Sequence, residues 1–175
     1  MKRLSAPWRW SFISGLKKMR GCIFCAALQE DEADSLVCHR GTDFFVILNK
    51  YPYTSGHLMI APVSHLSSPA EISPVDSQEM WSLMNDALAV LQKAFSPDGF
   101  NIGMNIGSAA GAGIKDHFHL HVVPRWQGDA NFLPVIGETK LVSYDLQGIV
   151  QIVRSGFSDL RAEKDPDRKL STRQA

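Results

Sequence analysis

His117, His119 and His121 take alternate positions in HFHLHVVPRW, so half of the chain's six histidines fall in one short stretch. In an extended chain successive side chains point to opposite faces, which puts the three imidazoles on one side and Phe118, Leu120 and Val122 on the other. Imidazole titrates near neutrality, and its neutral form serves as a base, a nucleophile or a metal ligand. The plain alternative is a solvated face rich in histidine. The glycine-rich stretch just ahead, GMNIGSAAGAGIKD, weighs against it, because Gly103, Gly107, Gly111 and Gly113 permit close approach and leave backbone N–H groups to cradle phosphate. Such loops are also ordinary hairpins, and this one lacks the G-K-[ST] of a Walker loop. Near the start, Cys22 and Cys25 form a C-x-x-C, which suits part of a zinc site or a redox pair.

These residues need elements to position them. SLVCHR (35–40), DFFVILNKYP (43–52), HLMIAP (57–62), GFNIGMNIG (99–107) and HFHLHVVPRW (117–126) read as strands, with Gly41-Thr42 as a turn. Ser73 is a helix N-cap with Pro74 behind it and Asp76 in the first turn, and Met80, Met84, Leu88, Leu91 and Phe95 follow at helical steps. A second helix is expected from about Tyr144 to Leu160, with Leu146, Ile149, Ile152, Val153, Phe157 and Leu160 on one side. The pattern implies an α+β fold, an antiparallel sheet with helices packed to one side. Residues 1–20 read as a basic arm, 21–160 as one domain and 161–175 as a polar tail.

The 18 basic and 18 acidic residues balance, so no global field favours nucleic acid or a membrane surface. No stretch approaches the ~20 apolar residues of a membrane span. Pro7, Trp8, Arg9 and Trp10 interrupt any signal-peptide core, and three cysteines fit a reducing compartment. The expectation is a cytoplasmic protein with neither nucleic acid nor membrane as partner. Cys38 is expected as a buried strand residue.

H-x-H-x-H followed by two apolar residues resembles the signature of the histidine triad family. LNKYPYTSGHLMIAP is similar to that family's first conserved block and GMNIGSAAGAG to its phosphate loop, so the resemblance covers residues 21 to 140. APWRW and VPRWQGDANF look like the bacterial branch that includes diadenosine tetraphosphate phosphorylases. The implied fold is the histidine triad fold, with a sheet of five strands and a homodimer in which Trp81 and Met84 are candidates for the two-fold contact.

The resemblance also implies roles. His119 would attack the α-phosphorus of a nucleotide and form a nucleotidyl-imidazole, oriented by a backbone carbonyl near the first histidine, which splits one difficult displacement into two. His121 would contact phosphate oxygens. His117 would be a zinc ligand or a tautomer-setting neighbour, and His57 would support the triad, unless it is an ordinary histidine at the core edge. Asn49 matches the position that meets the ribose, although an asparagine there is otherwise a turn former. Phe45, Ile47 and Leu48 would sandwich the base, and Asn105, Gly107, Ser108, Gly111 and Gly113 would meet the phosphates.

The chain departs from the family in one place. Many members put glutamine and then Ser or Thr ahead of the triad, where this chain has Gly113, Ile114, Lys115 and Asp116; Ser108, Asn105 or Lys115 would have to supply those donors. Beyond the triad, Asn131, Gly137, Thr139 and Lys140 are candidates for the far phosphates or the acceptor, in what is otherwise a surface loop. Zinc-bearing relatives use both cysteines, a histidine in P-x-x-H and the first triad histidine, here Cys22, Cys25, His65 and His117. Such a closed tetrahedral set suits a structural zinc. The implied activity is cleavage of a dinucleoside polyphosphate, diadenosine tetraphosphate first, with phosphate or water as acceptor. The alternatives are a purine nucleoside phosphoramidate hydrolase and a nucleotide-binding regulatory protein with incidental activity.

Overall fold

The structure, a computed structural model, describes residues 21–129 and 145–164. Its elements are α1 (Ile23–Ala27), β1 (Val37–Arg40), β2 (Phe44–Leu48), β3 (Leu58–Pro62), α2 (Pro74–Phe95), β4 (Gly99–Met104), β5 (Leu120–Arg125) and α3 (Leu146–Lys164). The strands form one five-stranded antiparallel sheet in the order β1-β2-β3-β5-β4, the expected α+β architecture. The basic arm, the candidates Asn131, Gly137, Thr139 and Lys140, and the tail past Lys164 lie outside the described residues. No described helix is long and apolar enough to cross a membrane.

β2 and β3 are buried along their whole length, because the sheet is covered on both faces. Phe44, Val46, Leu48, Leu58 and Ile60 pack against α2 and α3 together with Leu120 and Val122 of β5. Phe45, Ile47, Met59 and Ala61 turn the other way and are covered by Phe24 and Ala27 of α1. The two helices expected from the sequence do pack on one side, while α1, which no sequence pattern marked as a helix, covers the other. The second face of β2 and β3 is as apolar as the first and needs its own cover.

Ser73 caps α2 by accepting the Asp76 N–H at 3.1 Å, and the helix ends at Ser96, a left-handed residue with φ 46°. Its buried stripe is Met80, Leu83, Ala87, Val90 and Leu91; Met84, Leu88 and Phe95 sit half-buried beside it, and Trp81 is 51% exposed. On α2, Glu79 accepts the N–H groups of Thr42 and Asp43, each at 2.7 Å, which pins the turn between β1 and β2. On α3, Ile149, Val150, Val153 and Phe157 are buried. Ile152 is 47% exposed, contrary to expectation, since it lies about 100° around the helix from Val153. The helix also continues past residue 160 to Lys164, which pairs with Asp86 of α2. Arg154 of α3 donates to the carbonyls of Glu32, Ser35 and Val37 and so ties down the edge strand β1.

All five strands are shorter than their sequence patterns, β2, β4 and β5 by the most. β2 stops at Leu48, because Asn49 Oδ1 takes the Tyr51 N–H in an Asx turn. β4 stops at Met104, ahead of Gly107 with its φ of 79°. β5 starts only at Leu120: the Phe118 N–H goes to the Leu66 carbonyl at 2.8 Å, outside the ladder, since β3 has ended at Pro62. Farther along β5, the Pro124 carbonyl accepts the Thr54 hydroxyl at 2.7 Å.

The contact between α2 and α3 depends on Gly156, where an added Cβ would lie 2.6 Å from Val90 Cγ1. Val90 is β-branched, buried and unable to swing aside. Gly156→Val is expected to destabilise the fold by about 2 kcal/mol through overpacking. Urea unfolding checks this, and an unchanged midpoint would contradict it.

Candidate active site and metal centre

Although His117 and His119 precede β5, the alternation survives in the extended approach to it. Phe118 enters the core with the helices, while His117 and His119 face α1. His121 follows within β5, opposite Met59 of β3 and Gly103 of β4. A Cβ at Gly103 would meet nothing within 4 Å, so there is open space beside His121. His57 stands just ahead of β3. His117 and His57 are fully buried and His119 is 5% exposed, with His121 less covered than the others.

The hydrogen bonds assign each ring a tautomer. His119 Nδ1–H donates to the His117 carbonyl at 3.1 Å, which leaves the lone pair on Nε2. The expected backbone acceptor is thus present. His117 Nε2–H donates to the Pro62 carbonyl at 2.9 Å, so its lone pair is on Nδ1. His57 Nδ1 accepts the Tyr53 N–H at 3.1 Å and the Asn49 amide at 3.3 Å, which puts its proton on Nε2. From there it donates to His121 Nδ1 at 2.9 Å, and His121 in turn carries its proton on Nε2. His57 is thus bonded directly to a triad histidine.

Burial pushes His119 and His117 below the ordinary imidazole value; the carbonyl bonds work the other way, and for His117 the neighbouring histidines add to the lowering. Both rings are therefore held neutral near pH 7, the form required of a nucleophile or a ligand. Burial also lowers His39, which stacks on Phe157 at 4.7 Å, and raises the Cys38 thiol to about 12 in the core, as expected for a buried strand cysteine.

Cys22, Cys25, His65 and His117 converge with their ligand atoms all within 4.8 Å of one another. His117 Nδ1 lies 3.3 Å from Cys22 Sγ and 3.7 Å from Cys25 Sγ, and His65 Nδ1 lies 3.3 Å from Cys25 Sγ. Tetrahedral zinc, with bonds of about 2.3 Å to sulfur and about 2.0–2.1 Å to nitrogen, separates its donors by about 3.4–3.8 Å. The set fits. Burial, the hydrogen bond with Cys22 and that neighbour's charge raise the Cys25 thiol. A metal would reverse this by displacing the proton.

The other sequence candidates divide. Phe45 and Ile47 lie on the histidine side of the sheet, but Leu48 points into the helix-side core and cannot take part in the same base sandwich. Asn49 has its amide committed to Tyr51 and His57, the turn-forming role. Asn105, Gly107, Ser108, Gly111 and Gly113 lie on the loop between β4 and β5, around a short 3-10 turn at Ser108–Ala110. Gly107 and Gly111 have φ of 79° and 83°, which require glycine. Lys115 pairs with Asp116 at 3.7 Å on the surface.

Two residues were missed. The ring of Phe24, between the two cysteines, lies 5.0 Å from that of His117 and 4.8 Å from that of His119. Its position inside the C-x-x-C was the available signal. Tyr53 stacks on His57 at 4.8 Å, and no sequence pattern marked it.

The HIT domain family matches residues 30–128. The chain belongs to the histidine triad family. It is 34% identical over 150 residues to the AP-4-A phosphorylase of Mycobacterium tuberculosis, covering 81% of this chain and 77% of that protein. The crystal structure of a Zn-bound histidine triad family protein from Mycobacterium smegmatis matches with a TM-score of 0.65 at 26% identity, covering 82% of this chain and 97% of that one. A histidine triad nucleotide-binding protein from Sulfolobus tokodaii shares the fold with a TM-score of 0.67 at 24% identity, over 81% and 95% of the two chains.

Two outcomes follow for this histidine triad protein. Metal analysis after purification without added zinc is expected to find one zinc per chain, lost in Cys25→Ser; a content near zero in the unaltered protein would sink the assignment. Because His39, His117 and His119 bind protons more weakly folded than unfolded, stability is complete above their unfolded value of about 6.5. It is lost as pH falls from there through the lowered folded values. Tm measured between about pH 8 and pH 5 should decline on the acid side, and a flat or rising Tm would contradict this.

Proposed function

We propose that this protein cleaves dinucleoside polyphosphates, diadenosine tetraphosphate first among them, at the α-phosphate through a nucleotidyl-His119 intermediate. The observation that carries this reading is the His119 Nδ1–H bond to the His117 carbonyl, which leaves Nε2 as a neutral nucleophile beside His121. The 34% identity to an AP-4-A phosphorylase supports the substrate class. Nucleotide processing follows from membership of the histidine triad family and from that relative.

In the first step His119 Nε2 attacks the α-phosphorus, a P–N bond forms, and the bond to the bridging oxygen breaks. The leaving nucleotide departs as a phosphate anion, which needs donors more than it needs a proton. His121 Nε2–H is such a donor, aimed by the bond that its Nδ1 accepts from His57. In the second step an oxygen of phosphate or water attacks the same phosphorus, and the P–N bond breaks with its electron pair returning to His119 Nε2. Water, where it is the acceptor, releases a proton to solvent, and the products are ADP or AMP beside ATP. Phe24, Phe45 and Ile47, all buried on this side of the sheet, back the place where a base would lie. The loop N–H groups from Asn105 to Gly113 would meet the phosphates. The zinc set holds α1, and with it Phe24, against the histidines; no step runs through the metal. The reading includes a homodimer, supported by the exposed Trp81 of α2, and a cytoplasmic location.

His119→Ala is expected to fold and to lose more than about a thousandfold in kcat. Turnover of diadenosine tetraphosphate with and without inorganic phosphate, resolving ADP from AMP, identifies the acceptor. Turnover at the unaltered rate in the variant would reject His119 as nucleophile. Preferential cleavage of adenosine phosphoramidate would reject the substrate class.

A further inference from the structure

The loop between β2 and β3 does more than connect them. Its Asx turn at Asn49 brings Tyr53 back over His57, with ring centroids 4.8 Å apart and planes only 17° from parallel. The same residue's N–H reaches His57 Nδ1 at 3.1 Å. On the far side of the imidazole, Nε2 lies 2.9 Å from His121 Nδ1, and the Tyr53 ring lies 6.0 Å from that of His121. His57 is completely buried. An imidazole has two nearly isosteric orientations, related by a half-turn about χ2, that exchange the places of its nitrogens and carbons. Only one sends Nε2–H to His121 while Nδ1 receives the loop.

We propose that Tyr53 is a positioning residue for the leaving-group side of the site: its ring clamps the plane of His57, so that His57 holds His121 in the tautomer that presents Nε2–H to phosphate. The hydrogen bonds at Nδ1, from the Tyr53 N–H and the Asn49 amide, and the one at Nε2 hold the two nitrogens but leave the plane of the ring free to tilt. The stacked aromatic surface removes that freedom. Aliphatic replacements would fill part of the space without imposing a plane, whereas phenylalanine would keep the clamp. The idea rests on the reading of His121 as a phosphate contact, but its geometric half concerns the free protein.

The test uses the full chain with 15N-labelled histidine, from which NMR assigns the protonated nitrogen of His57 and His121, alongside kinetics with diadenosine tetraphosphate. In the unaltered protein His57 is expected to be a single Nε2–H tautomer. Tyr53→Leu is expected to give mixed tautomers at His57 and His121 and to lower kcat tenfold or more, with KM within threefold. Tyr53→Phe should restore the single tautomer and most of the turnover. Loss of turnover without a change at His57, a change at His57 without loss of turnover, or equal defects in the Leu and Phe variants would each overturn the proposal. So would an Nδ1–H tautomer of His57 in the unaltered protein, whether or not the Leu variant folds. If the unaltered protein turned over none of the substrate, the functional reading would fail, while the tautomer assignments would still decide whether Tyr53 clamps His57.

Discussion

One residue, His117, joins the two chemistries of the histidine face. Its Nδ1 faces the cysteines, its Nε2–H is given to Pro62, and its main-chain carbonyl receives the proton of His119. Side chain and peptide are thus held by different partners. A rotation that improved one set of contacts would spoil the other. Phe24 strengthens the link, because the turn that carries both cysteines also lays an aromatic ring against His117 and His119. The candidate metal set and His119 share a wall as well as the extended approach to β5.

The acceptors that orient His117 and His119 are carbonyl oxygens rather than carboxylates. A carboxylate would favour the imidazolium and raise its pKa, whereas a carbonyl fixes the tautomer with a weaker pull on the proton. Burial then dominates and keeps both rings neutral. The same low-dielectric setting strengthens each of these bonds. Orientation is obtained without the charge that would cost His119 its lone pair.

Much of this was legible in the sequence, for reasons that differ by residue. The period of two placed three imidazoles on one face even though His117 and His119 precede the ladder, because extended backbone alternates whether or not it is paired. The α2 cap followed from Ser73 and Pro74, whose local chemistry is sufficient. Leu48 was grouped with Ile47 although neighbouring strand residues face opposite sides, so parity alone would have corrected it. Phe24 and Tyr53 are of another kind. Their importance comes from tertiary stacking on histidines that are distant in sequence or reached around a turn, and no local period encodes such a meeting.

The Thr54 hydroxyl on the Pro124 carbonyl bears on which alignment of β3 and β5 the chain selects. In the present alignment Leu58 is opposite Val122. Sliding β3 by two residues, to set Leu58 opposite Pro124, would preserve inside and outside everywhere, so the hydrophobic pattern alone could not forbid it. It would nevertheless carry His57 about 7 Å away from His121. Proline has no N–H to offer a strand arriving there, and its carbonyl is already taken. Two residues with no part in the chemistry therefore act as an end stop, and they guard the one alignment in which His57 and His121 meet.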